Sequence, residues 1–106
     1  MIRMEFLVRK DGLCGFICTG HSMFAESGSD IVCSAVSALT INCVNSIEKL
    51  TADKPDIHVS DGSIRCILNG EVSAESALLL KSLQIGVSSV AEEYPHNVTV
   101  TEKSFQ

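Results

Sequence analysis

Ile2-Arg3-Met4-Glu5-Phe6-Leu7-Val8-Arg9-Lys10-Asp11-Gly12-Leu13-Cys14-Gly15-Phe16-Ile17-Cys18-Thr19 lies at the start of the chain. Ile2, Met4, Phe6 and Val8 alternate with Arg3, Glu5, Leu7 and Arg9, which is the period of a strand with one buried face. Lys10-Asp11-Gly12 supplies an Asp-Gly turn, and Leu13 to Thr19 forms the returning strand. The plan recurs downstream. Ile57 and Val59 alternate with His58, Asp61-Gly62 makes the turn, and Ile64, Cys66 and Leu68 line the return. A helix follows each hairpin. Val32, Val36, Leu39, Cys43, Ile47 and Leu50 make one apolar stripe, with Ser29 or Asp30 as its cap and Pro55 just beyond its end. Ala77, Leu80, Leu83, Val87, Val90 and Tyr94 make the second, capped by Ser73 and stopped by Pro95. Asn97 to Thr101 adds a short final strand. Two helical stripes and one apolar sheet face bury each other most simply as an α+β two-layer sandwich. Its order is hairpin, helix, hairpin, helix, strand, with a mainly antiparallel sheet and two helices on one face.

The 106 residues fit a single domain, 1–106. Such a chain buries roughly two-thirds of its unfolded surface, so neither disulfides nor a metal are needed for folding. The net charge of −5, from 13 acidic and 8 basic side chains, argues against direct nucleic-acid binding and suits a positively charged partner. Met1 to Lys10 has no continuous apolar region of the signal-peptide kind, and the apolar runs are too short to span a bilayer. The expectation is a cytoplasmic protein with no membrane contact, whose five cysteines are free thiols.

The chemistry is sought between the second strand and the first helix, at Gly20-His21-Ser22-Met23-Phe24-Ala25-Glu26-Ser27-Gly28-Ser29. Met23 and Phe24 either tuck into the edge of the core or belong to a mobile flap over a bound peptide, hinged by Gly20 and Gly28. His21 sits where the strand ends. Cys33 sits about one turn inside the helix, where partial positive charge favours the thiolate. A neighbouring imidazole favours it further. Asp30, three residues before Cys33, either orients His21 or belongs to the helix start. Ser34 and Ser37 either line the site or act as packing spacers. Opposite the core stripe, Ser34, Ser37, Ile41, Asn45 and Glu48 form a small, mostly polar face for solvent or a second subunit. Cys14 and Cys18 are expected on one face of a strand, about 13 Å apart, without the close spacing of a zinc pair. No metal and no cofactor are therefore expected. Cys43 and Cys66 are core positions, and His58 and His96 are surface histidines.

These residues carry a likeness. Gly20-His21, Ala25, Gly28 and Asp30-Ile31-Val32-Cys33-Ser34-Ala35-Val36-Ser37 resemble the ribosomal-processing cysteine protease (Prp) family, whose pattern is Gly-His, a short loop, then Asp three residues ahead of Cys. Leu79 to Gly86 and Ala91 to Pro95 are similar to the family's second helix. The resemblance implies a homodimeric cysteine endopeptidase with a Cys–His dyad. Cys33 would be its nucleophile, His21 its general base, Asp30 a supporting acid and Gly20 a loop hinge. Ser22, Met23, Phe24, Ala25 and Gly28 would lie in the substrate loop. The implied substrate is the N-terminal extension of a large-subunit ribosomal protein, the twenty-seventh of its series, removed during ribosome maturation. On this reading Gly20→Ala slows cleavage and spares the fold. Two rivals stand beside it. A non-catalytic ribosome- or protein-binding module of the same fold needs neither His21 nor Cys33. A thiol redox protein would want a C-x-x-C pair, which is missing.

Overall fold

The computed structural model describes residues 1–20 and 27–106, with the side chains of 27–30 outside that description. Strands β1 (Ile2–Arg9) and β2 (Gly12–Thr19) pair antiparallel, and β3 (Asp56–Ser60) and β4 (Ser63–Ile67) form the second hairpin around Asp61-Gly62. β4 runs antiparallel against β2, joining both hairpins into one sheet of order β3-β4-β2-β1-β5. Helices α1 (Ser27–Leu50) and α2 (Ala74–Glu93) follow the two hairpins, as the apolar stripes predict. Strand β5 (Val98–Ser104) lies parallel to β1 over its whole length, from Ile2–Val98 to Val8–Ser104. It runs three residues past the expected Thr101. The open edge of β1 recruits Glu102-Lys103-Ser104 through backbone pairing, although the apolar alternation has already stopped at Val100.

Both helices cover the face that carries Ile2, Met4, Phe6, Phe16, Cys18 and Cys66. Val32, Val36, Cys43 and Ile47 from α1 and Leu80, Leu83 and Val87 from α2 complete this core. The Phe6 and Phe16 rings sit 6.5 Å apart at its centre, and burying each contributes about 1.5–3 kcal/mol. The stripes are shorter than expected, since Leu50 is 71% exposed and Tyr94 lies at the surface. By length and composition Ile31–Leu50 would suffice to cross a membrane, contrary to the expectation from apolar runs, but its stripe is committed to the core.

A register shift at Leu7/Val8 pairs Leu7 with Gly15 and Val8 with Leu13, leaving Cys14 as the extra residue of a bulge. The bulge turns Cys14 to the outer face, where it packs with Leu7 and Ile67, while Cys18 stays in the helix-side core. The two thiols expected on one face are therefore on opposite faces. Arg9 secures this end of the sheet. Its Nη1 donates to the carbonyls of Leu68 (2.7 Å) and Gly70 (3.1 Å), and the guanidinium lies 5.5 Å from the Phe105 ring.

Ser73 caps α2 as predicted, its hydroxyl accepting from the Ser76 amide at 3.1 Å. Asp53, in the connection after α1, accepts from the Ser73 hydroxyl (2.7 Å) and amide (3.1 Å). The Ser76, Ser73 and Ser73-amide hydrogen bonds hold the Asp53 carboxyl below its ordinary value.

Candidate active site

Strand β2 ends at Thr19, and Gly20 leaves it at φ +90° with its N–H donating to the Gly62 carbonyl at 2.9 Å. A Cβ at position 20 would come within 2.1 Å of the Met1 carbonyl oxygen. Glycine is therefore demanded here by backbone conformation and by the closeness of β1. That is a stronger constraint than the hinge expected from its flexibility, and it overturns the idea that Gly20→Ala spares the fold.

Helix α1 starts at Ser27, before the caps expected at Ser29 or Asp30. Cys33 is thus in the second turn, about 9 Å along the axis from the start. The charge of the helix terminus acts mainly within the first turn, and Cys33 lies further from that terminus than a cap at Asp30 would place it. The Cα–Cβ bond of Cys33 leans back toward that turn, whose first four N–H groups have no partner within the helix.

All five cysteines are among the described residues, and Cys33 alone is half-buried while the other four are buried. Burial pushes the Cys18 and Cys66 thiols up to about 12 and Cys43 up to about 11, and it also raises Cys14. Cys43 donates to the Leu79 carbonyl at 3.6 Å. These four are protected, protonated side chains of the core. Cys18 has a second cause of its shift, the charge of Cys33. The end of β2 and the second turn of α1 are therefore neighbours, and two thiols distant in sequence lie near each other. No spacing motif announces this, because the contact depends on how α1 folds back over the sheet.

Ser37 lies one turn beyond Cys33 on the same side of α1 and is half-buried, whereas Ser34 is exposed. Gly20 leaves β2 two residues after Cys18, the thiol that feels the charge of Cys33, whereas Ser37 lies near the middle of α1. His21, Ser22, Met23, Phe24 and Ala25 lie outside the described residues, as do the side chain of Asp30 and the surroundings of Gly28. His58 Nε2 lies 3.2 Å from Asp56 Oδ1 at the surface, and His96 is exposed. Among the described residues no cluster of His, Cys, Asp or Glu has the makings of a metal site.

The family model described as cysteine protease Prp matches residues 1–99. The ribosomal processing cysteine protease Prp of Staphylococcus aureus is 32% identical over 108 residues, covering 97% of this chain and all of the relative. Two crystal structures of the S. aureus protease superimpose on the fold. The complex with a substrate peptide has a TM-score of 0.89 at 30% identity, and the complex with a covalently linked product peptide has 0.87 at 31%. Each covers 97% of this chain and 100% of the other.

Proposed function

This chain belongs to the Prp family of ribosomal-processing cysteine proteases, and from that membership we propose that Cys33 and His21 form its reacting dyad and that its substrate is the N-terminal extension of the twenty-seventh large-subunit ribosomal protein. The observation that carries this reading is the exposure of the cysteines. Cys33 is the accessible thiol in a chain whose other four are sealed in the core.

In the proposed mechanism His21 takes the Cys33 thiol proton as Sγ attacks the scissile carbonyl carbon. The carbonyl oxygen gains negative charge, and the N–H groups of the first turn of α1, which have no carbonyl partner within the helix, serve as its main-chain donors. Collapse breaks the C–N bond, and His21 returns the proton to the leaving amine, which becomes the new N-terminus of the ribosomal protein. The extension is left as a thioester on Cys33. Water, deprotonated by His21, attacks that thioester and releases the carboxylic acid and the free thiol. Asp30 orients the imidazole and Ser37 lines the floor of the site. Residues 22–25 and 28 contact the peptide, whose basic parent protein suits an enzyme of net charge −5.

The active form is a homodimer on this proposal, and Ile31 and Ile41, 69% and 51% exposed on α1, are apolar side chains suited to a second copy. Five free thiols suit the reducing cytoplasm. Mixing the purified protein with the ribosomal precursor and weighing the product tests the activity. Loss of the extension with wild type, and an intact precursor with Cys33→Ala, is the expected result. Cleavage by Cys33→Ala overturns the assignment, and light scattering of the same samples reads the dimer.

A further inference from the structure

At the end of β2 remote from Gly20, the β1–β2 turn and the connection from β4 to α2 bound a cavity of about 260 Å³. The first hairpin lines it with Arg9, Asp11 and Leu13, and the connection and α2 with Glu71, Val72 and Ala77. Its size narrows the occupant. A space of about 150 Å³ holds a benzene, whereas sites for whole small molecules start at roughly 300 Å³. The room is that of one long side chain.

The lining carries two carboxylates and one guanidinium. The guanidinium is already engaged, because Arg9 Nη1 donates to the Leu68 and Gly70 carbonyls and the group lies against the Phe105 ring. Asp11 and Glu71 are exposed, and among the described residues neither forms an ion pair. The apolar wall is fixed in advance, since Leu13 and Val72 pack against the main core. Unpaired carboxylates beside an apolar wall match a side chain with an aliphatic stem and a cationic head, which is lysine or arginine.

We infer that this cavity is an exosite for one basic side chain of the substrate protein, away from the scissile bond. The inference rests on the protease reading, in which a basic parent protein meets an enzyme of net charge −5. Distance decides which substrates reach it. Along β2, Cys14 in the cavity lining and Thr19 at the strand end are about 17 Å apart at the rise of a strand. The proposed base, His21, follows just beyond Gly20 in the sequence. An extended substrate needs at least about five residues to cover that span, so the cavity reads a part of the precursor remote from the junction. A contact so far from the reacting atoms holds substrate and transition state equally, and its loss shows in KM rather than kcat.

The test compares the whole precursor with a short peptide of roughly four residues on each side of the scissile bond, too few to reach the cavity. The enzymes are wild type, Asp11→Asn/Glu71→Gln, and a control, Glu48→Gln/Glu92→Gln. The control changes the net charge equally, at exposed positions outside the cavity. Asp11 and Glu71 are exposed and Asn-Gly preserves the turn, so the cavity variant keeps its fold. It is expected to raise KM for the precursor by about three- to tenfold at unchanged kcat, with the gap closing as salt is added. All three enzymes cut the short peptide alike, and the control handles the precursor as wild type does. An unchanged KM for the precursor in the cavity variant overturns the exosite and leaves the protease standing, as does an equal rise in the control. Failure of wild type to cleave either substrate overturns the reading beneath it.

Discussion

Replacing Gly20 with alanine imposes two costs where β2 passes the chain to residues 21–26. The backbone sits at φ +90°, a conformation that costs an L-residue about 1–2 kcal/mol. The new Cβ would also lie 2.1 Å from the Met1 oxygen, 3.0 Å from the Met1 carbonyl carbon and 3.2 Å from the Ile2 Cα. All three are main-chain atoms, so no side chain can swing aside and the start of β1 must move. That movement strains two bonds, Ile2 N–H to Asn97 O at 2.8 Å and Gly20 N–H to Gly62 O at 2.9 Å. Losing one of them adds about 1 kcal/mol. The sum is about 2–3 kcal/mol, which lowers Tm by roughly 8–24 °C in a domain of this size. Thermal circular dichroism reads it directly. D-alanine at the same position, introduced by ligation at a cysteine, separates the contributions, because it tolerates positive φ and sets its methyl on the other side of the backbone. It should melt near wild type. If L-alanine lowers Tm by less than about 3 °C, the reasoning about position 20 is refuted.

Iodoacetamide at neutral pH should label Cys33 first, read by peptide mass mapping. A thiol held near 12, as Cys18 and Cys66 are, presents only about one part in 10⁵ as thiolate at pH 7; early labelling of either would contradict the assigned burial. The same shifts govern alkaline stability. Unfolded cysteines release protons near their ordinary value of 9.0 while the folded Cys18, Cys43 and Cys66 hold theirs to about 11–12, so the unfolded state binds fewer protons and stability falls as pH rises through this window. Urea midpoints that stay level from pH 8 to 11 would count against it. Asp53 has the opposite sign: its carboxyl is depressed when folded, so its contribution is present above the ordinary value of 3.8 and is lost as pH falls through the folded value. Asp53→Asn should therefore melt below wild type at neutral pH, with the gap closing in acid; a constant gap would assign Asp53 a role that does not depend on its charge.

The parts of the fold legible from sequence are those where local pattern and tertiary burial agree. Ile2, Met4 and Phe6 alternate and face the core, Val36 and Ile47 keep helical spacing and face it too, and Ser73 caps where its hydroxyl can reach an amide. The misses share a physical cause, the dependence of a residue on a partner far away in the chain. Cys14 left the predicted face because one extra residue against Leu7/Val8 reverses every later side chain on that strand. The last three residues of β5 are strand because β1 had an edge to offer. Gly20 looked like a hinge because nothing local announces that Met1 passes within contact of it.

The same distinction explains why the proposed nucleophile is easier to choose after folding than before. In the sequence Cys33 differs from Cys43 only by standing beside the helical stripe instead of on it. That is a rotation of one residue, about 100° around the axis. In the folded chain the rotation separates a half-buried thiol from one pushed up to about 11. Had α1 been turned so that Cys33 faced the sheet, it would have been closed off from solvent as Cys18 is. The packing of Val32 and Val36, which are buried, holds Cys33, the nucleophile we propose, at the rim of the core.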